Sequence, residues 1–255
     1  MKKIVLLMII PTLFSGIAFT SCGSDKIEPK EDLNFGIPSA FTNIPSKSET
    51  NISYDESHRF SKITFSNLTF TFVYSGANII ACHVVQKVED DPHYGYALRE
   101  IEFKYESSNK VIANSFMSNN VPIYSDTIYI SDNGLPERIN KDVFFIFEQI
   151  TGNLLKYEKS ISGVQVFYEF EYDKNQGLFN NISIEPWLCY YFYTRNTFVF
   201  PVFELLLNHT NNVISETIIS PRQISTNKYI YTYRENNYPQ TVQMRNYDTP
   251  YDIRY

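Results

Sequence analysis

Histidine, cysteine and carboxylate side chains do most protein chemistry, and their spacing in this chain points to none of the familiar reactions. The four histidines, His58, His83, His93 and His209, form no His-Glu-x-x-His pair or other spacing that would turn two imidazoles toward one zinc ion. Cys82 and Cys189 make no Cys-x-x-Cys unit. There is no Gly-x-Ser-x-Gly elbow, no Ser-x-x-Lys pair and no phosphate-cradling loop, and the chain holds only 9 glycines from which to build one. Glu89-Asp90-Asp91-Pro92-His93 is the one acidic knot. It has too few oxygen ligands for calcium on its own, and a solvated turn is its plainer reading. No spacing among the remaining acids singles out the carboxylate pair of a glycosidase. The residues therefore read as non-enzymatic, with no metal and no cofactor. A hydrolase assembled from scattered acids is the competing reading.

Aromatic rings are the other chemical resource: 20 Tyr, 20 Phe and one Trp. Rings stack on the apolar faces of sugars, but they also fill cores. Those that alternate with polar residues belong to a core. The cluster Trp187, Tyr190, Tyr191 and Tyr193 falls outside the alternation and is the candidate ligand-binding strip, with Tyr94, Tyr96, Tyr247 and Tyr251 as further surplus rings. Core or interface packing is the competing role for all of them.

The N-terminus sets the address. Met1-Lys2-Lys3 is followed by the apolar run Ile4 to Ile10, then Pro11 and small residues ending Thr20-Ser21-Cys22. That is a signal peptide over residues 1–21, with an apolar stretch too short to span a bilayer. A cysteine directly after the small residues resembles a bacterial lipobox, which implies cleavage before Cys22 and acylation of its thiol and new amino group. The partner this implies is a membrane, held through the lipid anchor. Removing residues 1–21 takes Lys2 and Lys3 and no acid, so the formal charge moves from −6 to −8. A net acidic chain is a poor partner for nucleic acid.

Residues 22–48 are polar and carry Pro29, Pro38 and Pro45, the composition of a flexible tether. From residue 49 to 255 the pattern is that of a single β domain built from repeated hairpins. Ile101, Phe103 and Tyr105 alternate with Glu102 and Lys104 before the turn Glu106-Ser107-Ser108-Asn109. Tyr168, Phe170 and Tyr172 alternate with Glu169 and Glu171 before Asp173 to Gly177. Period-two alternation puts rings on one sheet face and charges on the other, and Asn or Gly in the turns accepts positive φ. Roughly seven such hairpins make an all-β antiparallel meander, either a twisted sheet or a partly closed barrel. An insertion at about 185–212 breaks the alternation. It predicts a short helix after Pro201 and a cap or plug over the apolar face. Cys82 and Cys189 sit in apolar, strand-like runs, where they either pair as a disulfide or remain two buried thiols.

Tyr172-Asp173 to Gly177 resembles one unit of the YD-type repeats, although the regular glycine of those repeats is missing elsewhere. The lipobox, Pro-bearing tether, aromatic hairpins and late Pro/Phe/Leu-rich insertion together resemble a Bacteroidota-type lipoprotein family of unknown function described as having a porin-like β fold. The resemblance implies an outer-membrane, lipid-anchored protein, periplasmic or surface-exposed, and brings no catalytic residues. The expected function is non-catalytic binding or scaffolding, with a glycan or an outer-membrane protein as partner. An envelope hydrolase is the first alternative, and a structural lipoprotein associated with an outer-membrane barrel is the second.

Overall fold

The computed structural model describes residues 36–66, 68–86, 99–117, 120–195, 205–244 and 250–255. The chain divides into two units, Met1–Leu33 and Asn34–Tyr255. The expected signal peptide, Cys22, the acidic knot 89–93 and Tyr94, Tyr96 and Tyr247 lie outside the described residues.

The second unit is a closed antiparallel barrel in which every strand pairs with its neighbours in sequence. Its first half runs β1 (Ala40–Asn43), β2 (Glu49–Tyr54), β3 (Phe60–Phe65), β4 (Leu68–Ser75), β5 (Asn78–Gln86), β6 (Arg99–Ser107), β7 (Lys110–Met117) and β8 (Pro122–Ile130). The second half runs β9 (Pro136–Ile139), β10 (Val143–Phe147), β11 (Leu154–Ile161), β12 (Val164–Tyr172), β13 (Val213–Ile219), β14 (Ile224–Tyr233), β15 (Pro239–Met244) and β16 (Pro250–Arg254). The helix α1 (Pro186–Arg195) interrupts the meander between β12 and β13.

The expected hairpins are present, and β1 pairs with β16 from Ala40↔Arg254 to Asn43↔Tyr251, which closes the sheet fully. That strand corrects the boundary of the tether. Residues 40–43 belong to the barrel, which therefore begins well before residue 49. Four residues are too few to show alternation, and they are extended because strands on both sides supply hydrogen bonds. Turn chemistry follows the residues: Ser162 and Gly163 both have positive φ (51° and 80°), the pair that a two-residue type I′ hairpin between β11 and β12 requires.

Alternation decides the faces. Ile101 and Phe103 are buried while Glu102 and Lys104 are exposed, and on β12 Phe170 is buried between exposed Glu169 and Glu171. The interior is apolar and the outer wall largely polar, the reverse of a transmembrane barrel. Apolar residues on the wall, such as Phe144, Ile146 and Ile230, stand on a few strands and form no girdle among the described residues.

About eight strands enclose a lumen that side chains alone can fill, and this barrel has twice as many. The insertion fills the difference. In α1 Trp187, Leu188, Cys189, Tyr190, Tyr191, Phe192 and Thr194 are all buried, so the helix is covered on every side. Its rings meet strands around the circumference: Phe192 packs on Phe72 of β4 at 6.0 Å, Trp187 on Phe103 of β6 at 5.6 Å, and Tyr190 on Phe147 of β10 at 5.1 Å. The helix starts at Pro186, where a proline at the first turn gives up no hydrogen bond. Residues 201–204, where the helix expected after Pro201 would start, lie outside the described residues.

The insertion leaves and re-enters through one end of the barrel, called here the insertion end. Its loops are tied to the surrounding rim by Ser183 N to His58 O (3.0 Å), Thr210 Oγ1 to Thr151 O (2.9 Å) and Asn181 Nδ2 to Tyr238 Oη (2.6 Å). At Gly177 a Cβ would lie 2.4 Å from the His209 carbonyl oxygen, so only glycine lets the outgoing and returning strands of the plug pass.

Candidate functional site

The start of α1 and two hairpin turns enclose a cleft at the insertion end. Its volume is about 270 Å³, and Tyr105, Ser108, Asn109, Ser131, Asp132 and Glu185 line it together with Trp187. Each side chain has an evident positioner. Tyr105 is the last ring on the inner face of β6, and its hydroxyl donates to Glu185 Oε2 at 2.6 Å. Asn109, in the turn to β7, donates through Nδ2 to Asp132 Oδ1 at 2.9 Å, which joins the β6–β7 and β8–β9 turns. Ser131 Oγ donates to the Leu135 carbonyl at 2.8 Å and pins the second turn. Trp187 forms the floor, edge-on to Tyr105 at 6.3 Å, and is almost wholly buried.

Burial pushes the Tyr105 phenol up, and the hydrogen bond to Glu185 pushes it further, so this hydroxyl stays a donor at any ordinary pH. The cleft thus offers carboxylate acceptors, an amide and hydroxyls, above a Trp187 that is itself packed into the core. Such a set suits a polyhydroxylated ligand. Among the described residues no group of three or more His, Cys, Asp or Glu side chains is placed to hold a metal ion.

The four aromatic residues singled out from sequence share α1 but do not form a strip. Only Trp187 reaches the cleft. Tyr190 packs between Phe145 and Phe147, the Tyr191 hydroxyl turns to Asp126 at 3.4 Å, and the Tyr193 hydroxyl donates to Glu216. These three are packing residues, because a ten-residue helix inside a wide barrel must present rings in all directions. Tyr251 likewise belongs to the core. Cys82 and Cys189 are both buried free thiols, and desolvation pushes each up, so the disulfide alternative gives way to two inert thiols. Sequence reading missed Tyr105, Asn109, Asp132 and Glu185. Polar hairpin turns were visible, but nothing in the spacing says that turns 23 residues apart face one helix start.

The other end of α1 is held by charge. Arg195 reaches Asp126 at 2.6 Å and Asp142 at 3.2 Å. Asn140 Nδ2 donates to the same Asp126 at 2.6 Å, and Lys159 Nζ donates to the Thr194 carbonyl at 2.8 Å. A cation on the last carbonyls of a helix is favoured by the helix dipole. This cluster fixes the plug, and two of its members, Asn140 and Asp142, also line a shallow cleft with Thr127, Tyr129, Arg138, Lys141 and Ser160.

No protein-family profile matches the chain, and no curated protein is similar to it in sequence. Among the solved structures that match is a crystal structure described as a porin-like protein from Bacteroides uniformis ATCC 8492, 9% identical, covering 85% of this chain and 96% of that one with a TM-score of 0.32. The barrel itself rests on the strand pairing of this chain.

Proposed function

We propose that the chain is a lipid-anchored, non-catalytic binding protein of the outer membrane, acylated at Cys22, that takes a short glycan into the cleft at the start of α1. The observation that carries this reading is a cleft with a fixed phenol and a rim of carboxylate, amide and hydroxyl groups. Asp132 and Asn109 are exposed turn residues, so they can be changed with little consequence for the fold.

On a glycan array the full chain is expected to select a small set of sugars, and Asp132→Ala or Asn109→Ala to weaken that binding on the order of tenfold. Unchanged binding in both variants would move the site elsewhere. The anchor is checked separately. Cells fed a labelled palmitate analogue are expected to label the chain and not Cys22→Ala, and label in that variant would remove the lipoprotein reading.

The hydrolase reading has one observation in its favour, since Asp132 and Glu185 line the same cleft. It predicts new reducing ends when the selected glycan is incubated with the chain, and loss of that release in Glu185→Gln.

A further inference from the structure

The outer wall of the barrel is recessed around the β9–β10 turn. β9 has four residues and β10 five, against nine in β8 and eight in β11. β9 pairs with β8 only from Ile128↔Ile139 to Ile130↔Pro136, and β10 meets β9 only at Val143 and Phe144. The turn 140–142 therefore stops short of the rim that its longer neighbours reach. A shallow cleft of about 530 Å³ occupies the recess, with Thr127 and Tyr129 of β8 on one side and Ser160 of β11 on the other. Thr127 and Tyr129 belong to the outer face, because Asp126, Ile128 and Ile130 alternate with them and are buried.

The cleft is basic in a chain whose formal charge is −6. Arg138 stands opposite Tyr129 in the ladder, with its guanidinium carbon 3.5 Å from the centre of the Tyr129 ring. Its Nη1 donates to the Asn140 carbonyl at 2.8 Å. Ring and carbonyl fix the plane of the guanidinium and leave its other donors without a carboxylate. Lys141 is exposed in the turn, and neither it nor Arg138 makes an ion pair among the described residues. Lys110 lies 5.9 Å from the same ring but is paired with Glu106 at 2.6 Å. The acid in the lining, Asp142, is held by Arg195 at 3.2 Å. The Asn140 side chain is taken up by the Thr127 amide and by Asp126.

We propose that this cleft binds the carboxylate of an acidic sugar, with the Arg138 fork on its two oxygens and Lys141 beside it. A guanidinium whose plane is already fixed matches a planar carboxylate through two parallel hydrogen bonds. Charge selects a singly charged ligand. Arg138 and Lys141 are the cations free to meet it, and Asp142 at the edge of the cleft opposes a dianion such as phosphate. The hydroxyls of Thr127 and Ser160 flank the fork and can pair with the hydroxyls of a sugar ring. This site stands apart from the cleft at the start of α1, where Asp132 and Glu185 repel an anion, and it does not rest on the glycan reading of that cleft.

The test titrates the full chain by calorimetry at low salt with trigalacturonate, with neutral maltotriose and with inorganic phosphate. Trigalacturonate is expected to bind with a Kd of roughly 1 mM or tighter, and the other two at least about tenfold more weakly. Arg138→Lys keeps the charge and removes the fork, and is expected to weaken trigalacturonate on the order of tenfold. Lys141→Ala, in the exposed turn, is expected to weaken it about threefold and guards against a local failure of the first variant to fold. Asp132→Ala in the other cleft is expected to leave this binding unchanged, so the two sites can fail separately. Absence of trigalacturonate binding, or binding equal to wild type in both Arg138→Lys and Lys141→Ala, would overturn the inference. Phosphate bound as tightly as trigalacturonate would overturn the carboxylate assignment.

Discussion

Arg195→Met is expected to cost ~3–5 kcal/mol of stability in urea denaturation. Asp126 has a side chain only 5% exposed, and Arg195 supplies its closest charge at 2.6 Å. Burial raises the Asp126 carboxyl above the usual range, and that effect outweighs the lowering by Arg195 and by Asn140. The pair therefore gains little over apolar residues of the same size, but breaking it leaves a buried carboxylate without its ion-pair partner. The asymmetry gives the check. Asp126→Leu combined with Arg195→Met is expected to recover most of the loss, since the double variant strands no charge. A single variant that loses less than ~1 kcal/mol would mean that water reaches the pair in solution.

His209 supplies the second large effect, and it depends on pH. The residue is partly exposed, but its Nε2 is sealed from solvent without a hydrogen-bond partner, and burial lowers the imidazole from 6.5 to about 4. The folded chain holds this histidine neutral while the unfolded chain protonates it below 6.5. Stability from this source is therefore fully present above pH 6.5 and is lost as pH falls through 6.5 toward 4. The difference between wild type and His209→Leu isolates it, because the other acid-titrating groups are common to both. Near pH 7 the two are expected to lie within ~1 kcal/mol of each other. At pH 4 the variant should be the more stable by ~2–3 kcal/mol. A difference that stays constant with pH would mean that the native ring accepts a proton, by opening of the returning limb of the plug that carries it.

The barrel was legible from sequence wherever alternation was long. Ile101 to Tyr105 and Tyr168 to Tyr172 each state which face is inner and where the turn begins, and both strands lie where that pattern puts them. The failures have a common physical cause. β1 is too short to alternate, and α1 is too thoroughly buried to show a polar face, so neither leaves a periodic mark. A helix such as Trp187 to Tyr193, apolar on all sides, looks like surplus rings when read as a string. Its role is visible only once sixteen strands are seen to enclose more space than their own side chains fill. The cleft was illegible for a related reason. Tyr105 and Glu185 are 80 residues apart and meet because the plug enters beside β6, a matter of topology rather than of motif.

The pairing of β1 with β16 has a consequence for how the protein comes into being. Ala40 finds its partner in Arg254, so the first strand of the barrel to emerge during synthesis waits for the last strand of the barrel. Until then the growing meander carries two open rows of amide and carbonyl groups, one on β1 and one on whichever strand is newest, and each can recruit a neighbouring chain. Contacts this remote in sequence also form slowly. The five residues of β16 thus decide whether a nascent chain ends as a ring or stays a sticky ribbon. Removing them would leave most interior contacts in place yet expose both edges at once.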